Sequence, residues 1–217
     1  MFALEVRNLQ HRFANTGEVL RGVGFALEPG CVLAVLGPSG SGKSTLLHLL
    51  GGLEAPTGGE VLWAGQSLRG ASQESLAQRR AKEVGFVFQH HYLLEDLTTL
   101  ENVMLPSLIA NQPNEARAKM LLERVGLQER SAAFPKTLSG GERQRCALAR
   151  ALVTKPKFVL ADEPTGSLDR ANAERVFGLL VELAHLEQAA VVIVTHDENL
   201  AQKADRIIRL EDGRILE

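Results

Sequence analysis

Eight consecutive residues, Gly37-Pro38-Ser39-Gly40-Ser41-Gly42-Lys43-Ser44, can hold a phosphate. Their spacing fits G-x-x-x-x-G-K-[ST]. Glycines let backbone N–H groups converge on phosphate oxygens without a Cβ in the way. Lys43 adds a mobile positive charge for the β- and γ-phosphates, and Ser44 adds a hydroxyl where Mg²⁺ would sit. Two further groups match this chemistry. Phe158-Val159-Leu160-Ala161 runs into Asp162 and Glu163, and Val191-Val192-Ile193-Val194-Thr195 runs into His196. Adjacent strand residues point to opposite sides, so Asp162 is free for the magnesium shell while Glu163 faces an attacking water. His196, as a neutral donor, can contact the γ-phosphate or orient that water. His11, His48, His90, His91 and His185 have no such placement.

A second anion site is written in Leu138-Ser139-Gly140-Gly141-Glu142. Ser139 and Glu142 have the S-x-x-E spacing of a helix capping box. Two glycines inside a helix cost about 1 kcal/mol each relative to alanine. A plain cap has no need of them, whereas close approach of a phosphate to a helix N-terminus does. Two phosphate sites some 100 residues apart, only one with a lysine and magnesium ligands, suit a dimer. Each nucleotide would lie between Gly37–Ser44 of one chain and Ser139–Gly141 of the other.

These groups need an α/β framework to hold them. Cys31–Leu36 is a continuous apolar run, as expected of a strand covered on both faces, and Lys43–Leu50 reads as the helix that follows the phosphate loop. Gly51 and Gly52 end that helix. Strand patterns are expected at Leu4–Leu9, Val19–Leu27, Glu60–Trp63, Val84–Phe88, Phe158–Ala161 and Val191–Val194. From about Leu97 to Leu152 the period is helical, with segments around Leu100–Met104, Ala118–Val125 and Glu142–Val153; another helix spans Ala171–Leu186. In an open parallel sheet, ligands bind beyond the carboxyl ends of the strands, where all three groups fall. The expectation is a single domain, 1–217, with a core lobe of about 1–88 and 157–217 and a helical lobe of about 89–156.

Bulk properties exclude several classes. The chain has 24 Lys plus Arg against 26 Asp plus Glu, a net charge of -2, which argues against a nucleic-acid binder. The start, MFALEVRN, is too polar and alternating for a signal peptide. No apolar stretch approaches the ~18–20 residues that span a bilayer, so a membrane role must come through a partner. Cys31 and Cys146 both read as buried small hydrophobes.

Taken together, these segments resemble the ATP-binding-cassette family over essentially the whole chain. GPSGSGKST, through Thr45, is similar to its Walker A segment, LSGGE to its signature, FVLADE to Walker B and Gln89 to its Q-loop glutamine. Ser167-Leu168-Asp169 resembles the D-loop and His196 the switch histidine, all in family order. The resemblance implies a P-loop NTPase fold with a mixed-sheet core and an inserted helical subdomain. It also implies an ATP sandwich dimer. Mg²⁺ would be held by Ser44 and Gln89 with Asp162 nearby, Glu163 would be the catalytic base and His196 the γ-phosphate sensor. Phe13 matches the aromatic that stacks on adenine. LLHLLGGLEAPTGGEV, QHHYLLEDLTTLENV and ADEPTGSLD narrow the likeness to the lipoprotein-release and macrolide-export subfamily, with the cell-division ATPase a close neighbour. That likeness implies a peripheral position on the cytoplasmic face of the inner membrane and an integral membrane partner facing Gln89–Val103. A soluble ABC ATPase of DNA repair or translation carries coiled coils, tandem cassettes or basic extensions, which 217 residues at net charge -2 do not hold. A P-loop binding module without hydrolysis is disfavoured by Glu163 and His196.

Overall fold

The apolar runs alternate between two hydrophobic layers, and this alternation organises the molecule. The computed structural model describes residues 1–14 and 17–216. A mixed sheet of six strands has the order β10-β9-β3-β8-β7-β6: Arg214–Leu216, Arg206–Glu211, Val32–Leu36, Ala190–Val194, Phe158–Asp162 and Val84–Phe88. Strands β9, β3, β8, β7 and β6 are mutually parallel, and β10 returns antiparallel. Val159, Ala161, Val191 and Ile193 face a layer that contains Phe177, Leu180 and Leu148. Phe158, Leu160, Val192 and Val194 face the opposite layer with Leu46, Leu49 and Leu50. Both faces are therefore covered, which is why these strands read as unbroken apolar runs.

The second layer is closed by an antiparallel sheet, β2-β1-β4-β5: Gly17–Leu27, Leu4–Phe13, Gly58–Trp63 and Gln66–Ser67. Trp63 is fully buried there, donates its indole N–H to the Leu50 carbonyl at 2.8 Å and meets Phe158 edge-on. Helix α1 (Lys43–Leu50) lies between the two sheets and buries Leu46, Leu47, Leu49 and Leu50.

Four helices carry the remaining connections: α2 (Gln73–Glu83), α3 (Thr99–Ile109), α4 (Glu115–Arg124) and α5 (Gly140–Leu152). Then α6 (Arg170–Glu187) and the short α7 (Glu198–Ala201) follow β7 and β8. Helix α2 has no counterpart in the sequence reading, because its only buried residue is Leu76 and a single apolar position makes no stripe. Ser72 caps its start by accepting from the Ser75 N–H, Arg80 donates to the Gly52 carbonyl at 3.0 Å, and Arg79 lies over the Trp63 ring. Strands β9 and β10 were also unmarked, since β9 buries only Leu210. Helix α5 starts two residues before the expected Glu142, so both glycines are its first helical residues. Cys146 is buried, its thiol pushed up to about 12 by loss of solvent, but Cys31 is partly exposed and lies just outside β3, which corrects the expectation of two buried cysteines.

One buried ion pair ties α4 to α5 and α6. The Arg117 guanidinium donates to the carbonyls of Val153 (2.9 Å) and Leu152 (2.8 Å) at the end of α5, and to Glu187 (2.7 Å) at the end of α6. It thereby satisfies helix carbonyls that have no partner within the helix.

Candidate functional site

The carboxyl ends of β3, β7 and β8 lie side by side, because β8 sits between the other two. The phosphate-loop residues Gly37–Ser44 leave β3 and enter α1, with Thr45 in its first turn. Gly40 and Gly42 take positive φ, 82° and 101°, a region closed to most side chains. Gly37 is required for a different reason. A Cβ there would sit 2.1 Å from the Leu210 carbonyl oxygen of β9, a main-chain atom with no freedom to yield. Gly42 likewise lies close under Val19 and Leu20 of β2. Lys43 donates from Nζ to the carbonyls of Gly37 (2.8 Å) and Pro38 (2.7 Å), so its ammonium folds over its own loop. Pro38 and Ser39 form the outer rim of the loop, whereas the Ser41 hydroxyl is buried and has no hydrogen-bond partner among the described residues.

Asp162 closes β7 on the α1 side, in the same alternation as Phe158 and Leu160. The Ser44 hydroxyl lies beside it, near enough to favour its charged form. Burial raises its pKa above the usual carboxylate range, and the neighbouring Glu163 charge raises it further; His48, Ser44 and Lys43 pull the other way. A negative oxygen held at this cost beside a hydroxyl is a donor set suited to a hard divalent cation. Ser44 and Asp162 could thus hold Mg²⁺ with few protein ligands. Among the described residues no group of three or more His, Cys, Asp or Glu side chains is arranged around a metal-sized site.

Glu163 does not continue the strand alternation. It turns into the left-handed region at φ 44°, while its N–H still donates to the Val194 carbonyl of β8 at 3.0 Å. That turn, unmarked in the sequence, brings its Oε1 to 2.9 Å from Nδ1 of His196. Both line an open cavity of about 380 Å³ shared with Thr165, Gly166, Thr195 and Asp197. A carboxylate and an imidazole in contact beside an open cavity can accept a proton and hold its donor in place.

Gln89 leaves β6 directly after Phe88, which pairs with Asp162. Its side chain lies against Gly166, and its carbonyl accepts from the Ser167 hydroxyl at 3.2 Å. Phe13 lies at the end of β1, partly exposed, with its ring edge-on to His11 at 4.5 Å; it pairs with Gly17 on the same strand, β2, that packs over Gly42. Two histidines without assigned chemistry are thus neighbours of the site: His11 beneath Phe13, and His48 beside Asp162, both within 3.4 Å of Glu54. Neither could have been singled out from sequence, since the contacts join β1, α1 and the turn after α1.

The segment Ser139–Glu142 forms a complete capping box. Ser139 accepts from the Glu142 N–H (3.3 Å), and the Glu142 carboxylate accepts from the Ser139 N–H (2.8 Å). The two glycines do not face their own phosphate loop. Gly140 lies by Leu168, and Gly141 is tight under Asn172, whose amide donates to Asp169 at 2.6 Å. Among the described residues no hydrogen bond links Ser139–Glu142 to Gly37–Thr45. The strand-end residues therefore converge within one chain, and the signature residues stand apart beside Asp169.

The sequence and the fold are similar to those of known proteins. The ABC transporter family model matches residues 20–166. The lipoprotein-releasing system ATP-binding protein LolD of Shewanella denitrificans is 49% identical over 211 residues, 96% of this chain and 91% of its own length. The ATP-binding cassette MJ0796, in a dimeric post-hydrolysis state bound to ADP and Pi, superposes with a TM-score of 0.87 at 36% identity, over 99% of this chain and 97% of that one. cbiO1 from Clostridium perfringens, part of the transporter complex cbiONQ, superposes at 0.91 with 27% identity, covering 100% of this chain and 87% of its own. With a phosphate loop, an acidic strand end and the signature in one cassette, the chain belongs to the ABC transporter family as an ATP-binding, ATP-hydrolysing subunit.

Proposed function

We propose that two copies of this chain close around two ATP molecules, each nucleotide held by Gly37–Thr45 of one copy and Ser139–Gly141 of the other. The observation that carries this reading is the separation inside one chain: Lys43, Asp162, Glu163 and His196 converge, while the signature glycines open away beside Asp169. MJ0796, 37% identical over 99% of this chain, has been solved as a dimer, which supports the same use here. In the closed site the glycines of α5 offer backbone N–H groups to the γ-phosphate. Phe13 supplies a ring face for adenine. Ser44, Gln89 and Asp162 hold Mg²⁺, which when bound offsets negative charge on the β- and γ-phosphates. Glu163 takes the proton of the attacking water, and His196 holds Glu163 and reaches the γ-phosphate. Asp169, at the cap of α6, lies at the seam between the copies.

The work is passed to an integral membrane partner on the cytoplasmic side, in lipoprotein release or a related mechanical task. The relative LolD supports this cargo class. No helix among the described residues is long and apolar enough to cross a membrane. An apolar groove of about 400 Å³, lined by Phe86, Phe88, Leu105, Pro106 and Ile109, supports a docking place near the expected Gln89–Val103 segment. No nucleic acid takes part in this reading. Analytical ultracentrifugation of Glu163→Gln with ATP and magnesium tests the dimer: a dimer is expected, and a strict monomer at high concentration overturns the reading. Recovery of the chain with a membrane protein in mild detergent tests the partner.

A further inference from the structure

We infer that Gln144 is a positioning residue that locks the Gln89 turn to the helix carrying Ser139–Gly141, so that both meet the nucleotide as one unit. Gln144 lies on α5 and is fully buried. Its Nε2 donates to the Phe88 carbonyl at 3.1 Å, and its Oε1 accepts from Nδ1 of His91. Because the amide NH₂ is committed to Phe88, the His91 ring carries its proton on Nδ1. The His91 N–H also donates to the Phe88 carbonyl, at 3.2 Å. One side chain thus grips both ends of a turn that encloses Gln89 and His90.

The turn needs such a grip. His91 and Tyr92 are consecutive non-glycine residues at φ 47° and 48°, a strained pair that persists only where the surroundings fix it. Arg150, also on α5, donates to the carbonyls of both. From the opposite side Ser167 holds the Gln89 carbonyl. Next to it on α5 Arg145 is also buried, and the buried positions that follow, Cys146, Ala147, Leu148 and Ala149, are apolar, so burial in this helix does not by itself call for an amide at 144. A buried amide satisfied at both ends specifies one arrangement where an apolar residue would allow several. Gln144 touches neither nucleotide nor water in this scheme; it acts through Gln89 and α5, and the inference rests on the sandwich proposed above.

The test pairs two substitutions that break the link with one that keeps it. Gln144→Met removes both bonds at similar volume. His91→Phe removes one bond at a partly exposed position and guards against a folding failure at 144. His91→Asn retains an N–H where Nδ1 stood. Both breaking variants should lose about 10-fold in kcat, as expected for a misplaced group remote from the chemistry. ATP binding to the monomer should stay within about twofold, because the phosphate loop is untouched. The magnesium concentration for half-maximal turnover should rise, and His91→Asn should behave as wild type. In the Glu163→Gln background, Gln144→Met should need more ATP to dimerise. The inference is overturned if His91→Asn and His91→Phe behave alike, if kcat is unchanged, or if ATP binding falls in step with kcat and melting temperature. If the Glu163→Gln parent dimerises and Gln144→Met dimerises at the same ATP concentration, this inference fails alone. If the parent never dimerises, the sandwich fails and takes the inference with it.

Discussion

Oε1 of Glu163 lies 2.9 Å from Nδ1 of His196, across two strands that are neighbours in the sheet but 33 residues apart in the chain. The contact depends on Glu163 leaving the strand geometry at φ 44°. Glu163→Gln keeps the shape and removes the proton acceptor. Turnover should fall by about 10²–10⁴-fold with ATP binding retained. Phosphate release and equilibrium nucleotide binding, measured on the same sample, check this; near-normal turnover would exclude Glu163 as the base.

Asp162 trades stability for function. Burial and the Glu163 charge raise its pKa, so the ionised form costs the fold stability at neutral pH, and the cost fades as pH falls through the raised value. Asp162→Asn should therefore raise the urea midpoint at pH 7 while abolishing magnesium-dependent turnover. The gain should shrink on acidification. Denaturation curves at neutral and acid pH decide the matter, and a lower midpoint at pH 7 would contradict it.

Glu142 has the opposite sign. The Ser139 N–H, then its hydroxyl, hold the carboxyl below the usual glutamate range. Its contribution is complete above the ordinary value and is lost as pH falls through the lowered one. At pH 7, Glu142→Ala should cost about 1 kcal/mol, the usual worth of a helix cap. Wild type and variant should converge in stability as pH drops below about 4. Urea titrations across that window would show the convergence.

Two glycine substitutions should part company. Gly37→Ala forces a Cβ to within 2.1 Å of a main-chain oxygen and should cost more than about 4 kcal/mol. Gly141→Ala meets only the amide end of Asn172, 2.8 Å away, which can rotate. Helix propensity offsets that shift by up to about 1 kcal/mol, so melting should stay near wild type. The displaced Asn172 amide gives up its bond to Asp169, which keeps only the cap to the Asn172 N–H, and ATP-dependent dimerisation should weaken. Thermal melting and sedimentation separate the two outcomes.

Arg117 offers a purely structural comparison. Its guanidinium and Glu187 are both nearly buried, and removing Arg117 leaves the Leu152 and Val153 carbonyls unpaired and Glu187 with Arg124 as its remaining ion-pair partner. Arg117→Ala should cost about 3–5 kcal/mol, whereas Arg117→Met, which refills the space, should cost less when combined with Glu187→Leu. Chemical denaturation of the single and double variants gives both values.

The members of the candidate site are named by the sequence, because a phosphate loop and strand-end carboxylates are patterns of residue type at fixed local spacing. The strand over Val84–Phe88, the helix over Lys43–Leu50 and the Ser139–Glu142 cap are local too, and they stand as read. Helix α2 was not legible, since one buried leucine gives no periodicity, and neither were β9 and β10, whose burial is sparse. The tertiary structure alone decided the left-handed turn of Glu163, the clearance of Gly37 beneath Leu210, and the grip of Gln144 on the Gln89 turn. Each of these joins segments between 33 and 173 residues apart, and no local pattern encodes which backbone atom will pass close by. Sequence therefore fixed the chemical groups, because they are intrinsic to side chains; only the packed sheet decided their distances, because those are set by strand order.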